Sequence, residues 1–316
     1  MRALAFLAAV AFCSTCFAQY PTKPPKLLVG FVPGGGVDQT ARITVAGLTP
    51  IWNQQIVVEN KTGAGGTIAA AEVAKAAPDG YTFVLCNIGS HGIGPSLYKK
   101  VGYDPIADVT HIGLIGVTPN VLAVHPSVPA NNVAEFIAYA KANPGKLSYG
   151  SSGVGTSTHL GVELFKSLTG VNIVHVPYKG GAASSADLAG GQVQLVITNL
   201  PEQVAYIKSG RTRALGVSTT KRSPAFPDVP SISDTVPGYD VTVWYGICGP
   251  GGMERGLVNR INADLQRAVK SPETTKRLND AGIEIAPGSS EQFTSFVKGE
   301  VVKWAKVIKD AGITAE

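Results

Sequence analysis

Apolar positions along the chain follow two alternating rhythms. The run Lys26 to Val32 reads as a strand. Val37, Ala41, Val45 and Leu48, spaced four, four and three apart, read as one face of a helix. The same reading predicts strands at Gln55–Glu59 and Thr82–Cys86, and helices at 38–52 and 66–77. This βαβαβ order implies a parallel sheet with covered faces. A looser stretch, 88–118, carries Gly92, Gly94, Pro95, Gly102 and Pro105. The alternation then restarts. Strands are predicted at Val121–His125, Leu147–Ser151, Val171–Val176, Val193–Thr198 and Arg213–Ser218, and helices at 131–142, 157–169, 182–189 and 201–209. Past Pro224, Pro227, Pro230 and Pro237 come an aromatic strand, Val241–Cys248, and helices at 254–269, 272–280 and 290–310. The simplest account is two α/β lobes, 19–118 with 240–316 and 119–239. Two crossings between them make a hinge with a cleft.

Glycine clusters at three of the strand-to-helix junctions. The first is Pro33-Gly34-Gly35-Gly36-Val37-Asp38, the second Thr62-Gly63-Ala64-Gly65-Gly66-Thr67, the third Gly150-Ser151-Ser152-Gly153-Val154-Gly155-Thr156-Ser157-Thr158-His159. Glycine leaves no side chain over the helix start, where the first amides lack intrahelical acceptors and carry partial positive charge. Such a start is a ready anion site; the alternative is a tight turn in which glycine only supplies unusual dihedrals. Ser152, Thr156, Ser157 and Thr158 can cap the third helix or bond a ligand. In an open α/β sheet, loops after the carboxyl ends of strands are where ligands sit. Several such loops suit a carboxylate clamped between two lobes. Asp38 either joins that site or serves only as a partner of the helix dipole. His159 stands one turn into a candidate binding helix.

Composition narrows the class. Met1-Arg2, the apolar stretch Ala3 to Phe12 and Cys16-Phe17-Ala18 form a secretory signal peptide, 1–18, cut after Ala18. Cys13 and Cys16 lack the small apolar run of a lipoprotein signal. No later run is apolar enough for a membrane helix. Of 316 residues, 44% are hydrophobic, so two lobes with cores are expected. The net charge of +5 becomes +4 without Arg2 and is dispersed, which excludes a nucleic-acid surface. Cys86 and Cys248 remain after cleavage. Both lie in apolar strand-like runs, where buried free cysteine is common, so free thiols are expected and a disulfide is the alternative.

Competing chemistries fit less well. Gly150 and Gly155 have the spacing of a phosphate-binding loop, but Thr156 stands where lysine is needed. Gly34-Gly35-Gly36 lacks the dinucleotide fingerprint, and no Gly-x-Ser-x-Gly elbow exists. His91, His111, His125, His159 and His175 show no metal-ligand spacing. No cofactor and no metal are expected.

An ordered set of motifs resembles the Bug family, the periplasmic solute receptors of tripartite tricarboxylate transporters. The residues are Tyr20-Pro21-Thr22-Lys23-Pro24, Pro33 to Asp38, Asn60-Lys61-Thr62-Gly63-Ala64-Gly65-Gly66 and Ala76-Ala77-Pro78-Asp79-Gly80-Tyr81, then Gly150 to His159, Val176-Pro177-Tyr178-Lys179-Gly180, Lys221-Arg222-Ser223-Pro224, Pro227-Asp228-Val229-Pro230 and Trp244-Tyr245-Gly246. The resemblance implies a two-lobed periplasmic-binding-protein-like (flytrap) fold, with mostly parallel sheets and helices on both faces. It implies a monomer in the periplasm that passes a small mono-, di- or tricarboxylate to membrane components of a transporter. Carried onto this chain, the carboxylate site is Gly34, Gly35, Gly36, Gly65, Gly66, Ser152, Thr156, Ser157 and His159, with Tyr178 and Asn199 as walls. Two departures stand out. Thr198-Asn199 replaces an acidic residue frequent in relatives, which argues against an amino-group partner there. Gly252-Met253-Glu254 replaces a proline-bearing helix start, with only a structural effect expected. A ligand-sensing partner of a membrane signalling protein fits the same fold; a secreted hydrolase would need an activated nucleophile that the sequence does not show.

Overall fold

The computed structural model describes residues 20–224, 226–310 and 312–314. The signal peptide, with Cys13 and Cys16, lies outside them. The chain opens with β1 (Lys26–Val29), α1 (Gly36–Trp52), β2 (Val57–Asn60), α2 (Thr67–Ala74) and β3 (Thr82–Asn87). Their strands are parallel, in the order β2-β1-β3, as the βαβαβ reading requires. A π-helical turn, Ile88–Ile93, and α3 (Gly94–Leu97) follow, then β4 (Val109–Val124). Next come α4 (Val133–Ala142), β5 (Ser148–Ser151), α5 (Ser157–Thr169), β6 (Val174–Pro177), α6 (Gly181–Ala189) and β7 (Leu195–Asn199). A tight turn, Leu200–Glu202, leads to α7 (Val204–Lys208) and β8 (Arg213–Val217). The return is β9 (Thr242–Pro250), α8 (Arg255–Val269), α9 (Pro272–Asp280), β10 (Glu284–Ile285) and α10 (Ser290–Asp310).

The main departure from the sequence reading is β4. It runs 16 residues, beginning well inside the stretch taken as loose. Buried along most of its length, it shows no alternation of apolar and polar residues. Its ladder with β9 also shifts register between His111 and Gly113 and between Leu114 and Gly116. A Cβ on Gly116 would stand 2.4 Å from the Glu284 carbonyl oxygen, so the close approach of β10 requires glycine there.

β4 belongs to both halves of the fold. Val109 to Pro119 pair with β9, and Asn120 to Val124 pair with β7. The sheet order is β2-β1-β3-β9-β4-β7-β5-β6, with β8 and β10 also on β4. The two lobes thus share a strand instead of holding separate sheets. The sheet is also mixed, not mostly parallel: only β1–β2, β1–β3, β5–β6 and β5–β7 are parallel pairs, and β4 and β9 run antiparallel to their partners. Two strands that carry the chain out and back must run in opposite directions.

The first lobe's core gathers Trp244, Phe293 and Trp304 around β9 and α10. The Glu300 carboxylate accepts the indole N–H of Trp244 at 3.0 Å and of Trp304 at 3.2 Å. His91 and His111 are buried beside this cluster with rings 6.3 Å apart. Burial pushes them down to about 3 and about 4.

The free-thiol expectation is wrong: Cys86 of β3 and Cys248 of β9 form a disulfide, with Cα atoms 5.8 Å apart. Val84 pairs with Cys248 and Cys86 with Gly246, so the cysteines stand diagonally on adjacent strands, a proximity invisible at a sequence separation of 162. Reduction, or Cys86→Ala with Cys248→Ala, should remove about 2–5 kcal/mol. That lowers the melting temperature by roughly 5–15 °C. Two titratable thiols in denatured, unreduced chain lacking residues 1–18 would contradict the pairing.

The buried histidines set a pH dependence. Unfolded histidine binds its proton near 6.5, whereas folded His91 and His111 resist it to about 3 and about 4. The unfolded state therefore holds more protons between these values. Their contribution to stability is complete above about 6.5 and is lost as pH falls through this window. NMR should show both imidazoles still neutral at pH 5 in the folded protein. A titration midpoint near 6.5 for either ring would contradict the burial argument.

Candidate binding site

Four helix starts converge between the lobes. α1 follows Gly34, whose φ of +86° is left-handed, and Gly35, an extended N-cap at φ −75° that offers no side chain. The open conformation thus belongs to Gly34, and Gly35 supplies bareness. α6 likewise starts after Gly180, φ +144°, with no side-chain cap. α5 is capped by Thr156, whose hydroxyl accepts the His159 N–H at 3.4 Å. At the π-helical turn, Asn87 accepts the N–H groups of Gly89 and Ser90 at 2.8 and 3.2 Å. These starts border a narrow cavity, also lined by Phe31, Val32, Val243 and Tyr245. A second, larger cavity of about 410 Å³ shares Phe31, Val32, Ser152 and Thr156 with it. The lobes touch where the Tyr98 hydroxyl donates to the Val154 carbonyl at 2.8 Å.

The sequence-predicted residues divide by position. Gly35, Gly36, Ser152, Thr156, Ser157 and Asn199 line the smaller cavity. Gly65 and Tyr178 line the larger one, with Ser152 and Thr156 again. Gly34, Asp38, Gly66 and His159 line neither. Gly66, at φ +94°, is a packing glycine: its own Cβ would stand 3.1 Å from Phe31 Cε2. Asp38 is fully engaged, accepting from Gly34 N–H at 3.0 Å, Arg42 Nε at 2.8 Å and Asn60 Nδ2 at 2.9 Å. Burial works to raise its pKa, but these donors prevail and hold the carboxyl below its ordinary value. His159 points to the outer side of α5, where its ring stacks on His175 at 4.4 Å and its Nδ1 accepts the Gly155 N–H at 3.4 Å. It shapes the 151–155 loop from behind. Burial lowers its pKa and takes His175 to about 4.

The sequence reading missed Glu202. Its Oε1 accepts the Gly36 N–H at 3.1 Å, across the cleft at the start of α1, and its Oε2 accepts the Thr198 hydroxyl at 2.5 Å. Burial raises its pKa, opposed by Thr198, Gly36 and Asn199. An acidic group thus stands three residues after Asn199, on the same cavity. The only sequence signal was an acid in the first turn of a segment read as helix. Tyr245, Asn87 and Gly181 were also missed as wall residues. Among the described residues, Tyr245 Oη, Asn199 Oδ1 and Ser152 Oγ are buried on this wall without a hydrogen-bond partner. Three unsatisfied oxygens around one cavity suit a polar guest.

Comparison with known proteins agrees with this architecture. The family model described as tripartite tricarboxylate transporter family receptor, TctC, matches residues 40–313. BugT of Bordetella pertussis (strain Tohama I) is 32% identical over 295 residues, spanning 93% of this chain and 90% of BugT. The structure of R. palustris Rpa4515 with adipate is 39% identical at a TM-score of 0.89, over 93% of this chain and 99% of that one. MatC from Rhodopseudomonas palustris with bound malate is 29% identical at a TM-score of 0.86, over 92% and 100%. This chain belongs to the TctC family, the receptors of tripartite tricarboxylate transporters, with Bug proteins among its relatives.

Proposed function

We propose that the protein is a periplasmic receptor that captures a small carboxylate between its two lobes and delivers it, unchanged, to the membrane components of a tripartite-tricarboxylate-type transporter. The observation that carries this reading is the convergence of helix starts from both lobes on one cavity whose wall leaves three polar oxygens unpaired. Solved relatives holding adipate and malate support the ligand class. On this reading residues 1–18 are a cleaved signal peptide and the receptor works as a monomer. Among the described residues no helix is long and apolar enough to cross a membrane.

The lobes are assigned to 19–118 with 240–316 and to 119–239. The switch of β4 from β9 to β7 at Pro119–Asn120 and the start of β9 at Thr242 support these limits. Closing motion would then concentrate at two adjacent strand segments. A non-catalytic role fits the serine–histidine contacts. Ser90 with His91 at 2.8 Å and Ser151 with His175 at 2.7 Å are sealed, the serines being 1% and 0% exposed; Ser127 with His125 at 2.8 Å is exposed; none of the three serines borders the cleft cavities.

A thermal-shift panel of carboxylates should reveal the ligand class. A ligand at 100 times its dissociation constant adds about 2.7 kcal/mol, which moves the melting temperature by several degrees. The recovered ligand should be chemically unchanged, and a modified product would overturn the receptor reading. Calorimetric titration of folded variants should rank the clamp residues. Gly35→Asp and Ser157→Asp abolish binding, because each adds a negative charge at a site built for an anion. At Gly35 the new Cβ would stand 3.5 Å from Glu202 Oε1, so the charge also meets a like neighbour. Ser157→Ala weakens binding by about 0.5–1.5 kcal/mol, or up to about 3 if the hydroxyl reaches an ionised carboxylate. Wild-type affinity in Gly35→Asp would reduce the glycines to turn residues.

A further inference from the structure

The cavity wall already holds a carboxylate. Glu202 Oε1 accepts the Gly36 N–H at 3.1 Å at the start of α1. A Cβ built on Gly181 would fall 1.8 Å from Glu202 Oε2, so the same side chain lies against the start of α6. These are the two helix starts on the cavity that lack a side-chain cap of their own. Their positive ends face an internal anion, whereas α5, with Ser157 and the unpaired Ser152 Oγ, remains open to a guest.

Two buried groups beside Glu202 say what belongs next to it. Asn199, 6% exposed, donates its side-chain amide toward the Glu202 carboxyl, which leaves its Oδ1 as a bare acceptor. Tyr245, fully buried, has its hydroxyl 3.4 Å from the point a Cβ on Gly36 would occupy, also without a partner. This end of the cavity therefore offers a carboxylate, an amide oxygen and a hydroxyl. A second carboxylate brought here meets like charge among buried groups. A hydroxyl or ammonium group instead satisfies acceptors that otherwise stay unpaired.

We propose that Glu202 determines specificity: the receptor takes a monocarboxylate whose far end is a hydrogen-bond donor and rejects the dicarboxylate of equal length. The carboxylate of the ligand sits at the α5 start and the donor end meets Glu202 and Asn199 Oδ1. This rests on the carboxylate-receptor reading and narrows it. Selection comes from repulsion as much as attraction, since a buried like-charge pair disfavours the wrong ligand directly.

The test is calorimetric titration of the full chain lacking residues 1–18 with two matched sets. One is butyrate, gamma-hydroxybutyrate, gamma-aminobutyrate and succinate; the other is hexanoate, omega-hydroxyhexanoate, omega-aminohexanoate and adipate. In at least one set the hydroxyl or amino compound should bind about tenfold or more tightly than the dicarboxylate. The stronger of the two tells whether the donor is neutral or cationic. Glu202→Gln keeps an oxygen for the Gly36 amide but removes the charge, and should shrink that preference to about threefold or reverse it. A wild-type protein that binds the dicarboxylate as tightly as its hydroxyl and amino counterparts overturns the proposal while leaving a carboxylate receptor. An unchanged preference in folded Glu202→Gln overturns the role of Glu202. Binding of no compound from either set, by either protein, takes down the receptor reading and this inference together.

Discussion

The antiparallel ladder between β4 and β9 is the constraint on which the rest of the structure depends. It spans Val109 to Pro119 on one strand and Thr242 to Pro250 on the other. Beyond Pro119 the same β4 continues and pairs with β7 and β8. The Cys86–Cys248 bridge ties the returning strand to β3, and Trp244 anchors it under α10 through Glu300. One long strand thus fixes how two βαβ units face each other. The loops after β1, β3, β5, β6 and β7 then open on the same cavity, as carboxyl-end loops of α/β sheets do.

Two acids near the start of α1 show how environment separates structural from functional carboxyl groups. Asp38 accepts three hydrogen bonds, one from an arginine, and its pKa is lowered. It holds the Gly34–Gly36 turn in shape and borders neither cavity. Glu202 comes from the other lobe, has no cationic partner among its contacts, and is raised by burial. The same helix dipole attracts both. Only the second stands on the cavity wall, so only the second bears on what the cavity accepts.

Much of the fold was legible because the helices obey a simple period. The limits expected for the helices at 157–169, 272–280 and 290–310 match α5, α9 and α10. The glycine-rich junctions were legible as bare helix starts, and Gly35, Gly36, Ser152, Thr156, Ser157 and Asn199 do share one cavity. The rest was hidden for definable reasons. A strand buried on both faces, bulged at His111–Gly113 and Leu114–Gly116, has no alternation to read. The disulfide and the mixed sheet depend on which strands become neighbours. Asp38 and His159 sat at the right sequence positions, but their side chains turn to Arg42 with Asn60 and to His175. Glu202 carried no motif, since its role arises only when Gly36 of the opposite lobe approaches it.

The central claim is that the ligand carboxylate is held between the lobes at the hydroxyl-rich start of α5, with the bare start of α1 across the cleft. The most direct measurement is a crystal structure of the protein with the carboxylate that gives the largest thermal shift. The account predicts its carboxylate oxygens within hydrogen-bond reach of the first turn of α5, enclosed by the Gly35–Gly36 loop across the cleft. Density for the ligand outside the cleft, for example in the groove formed by His159, Glu163 and His175 behind α5, would contradict it.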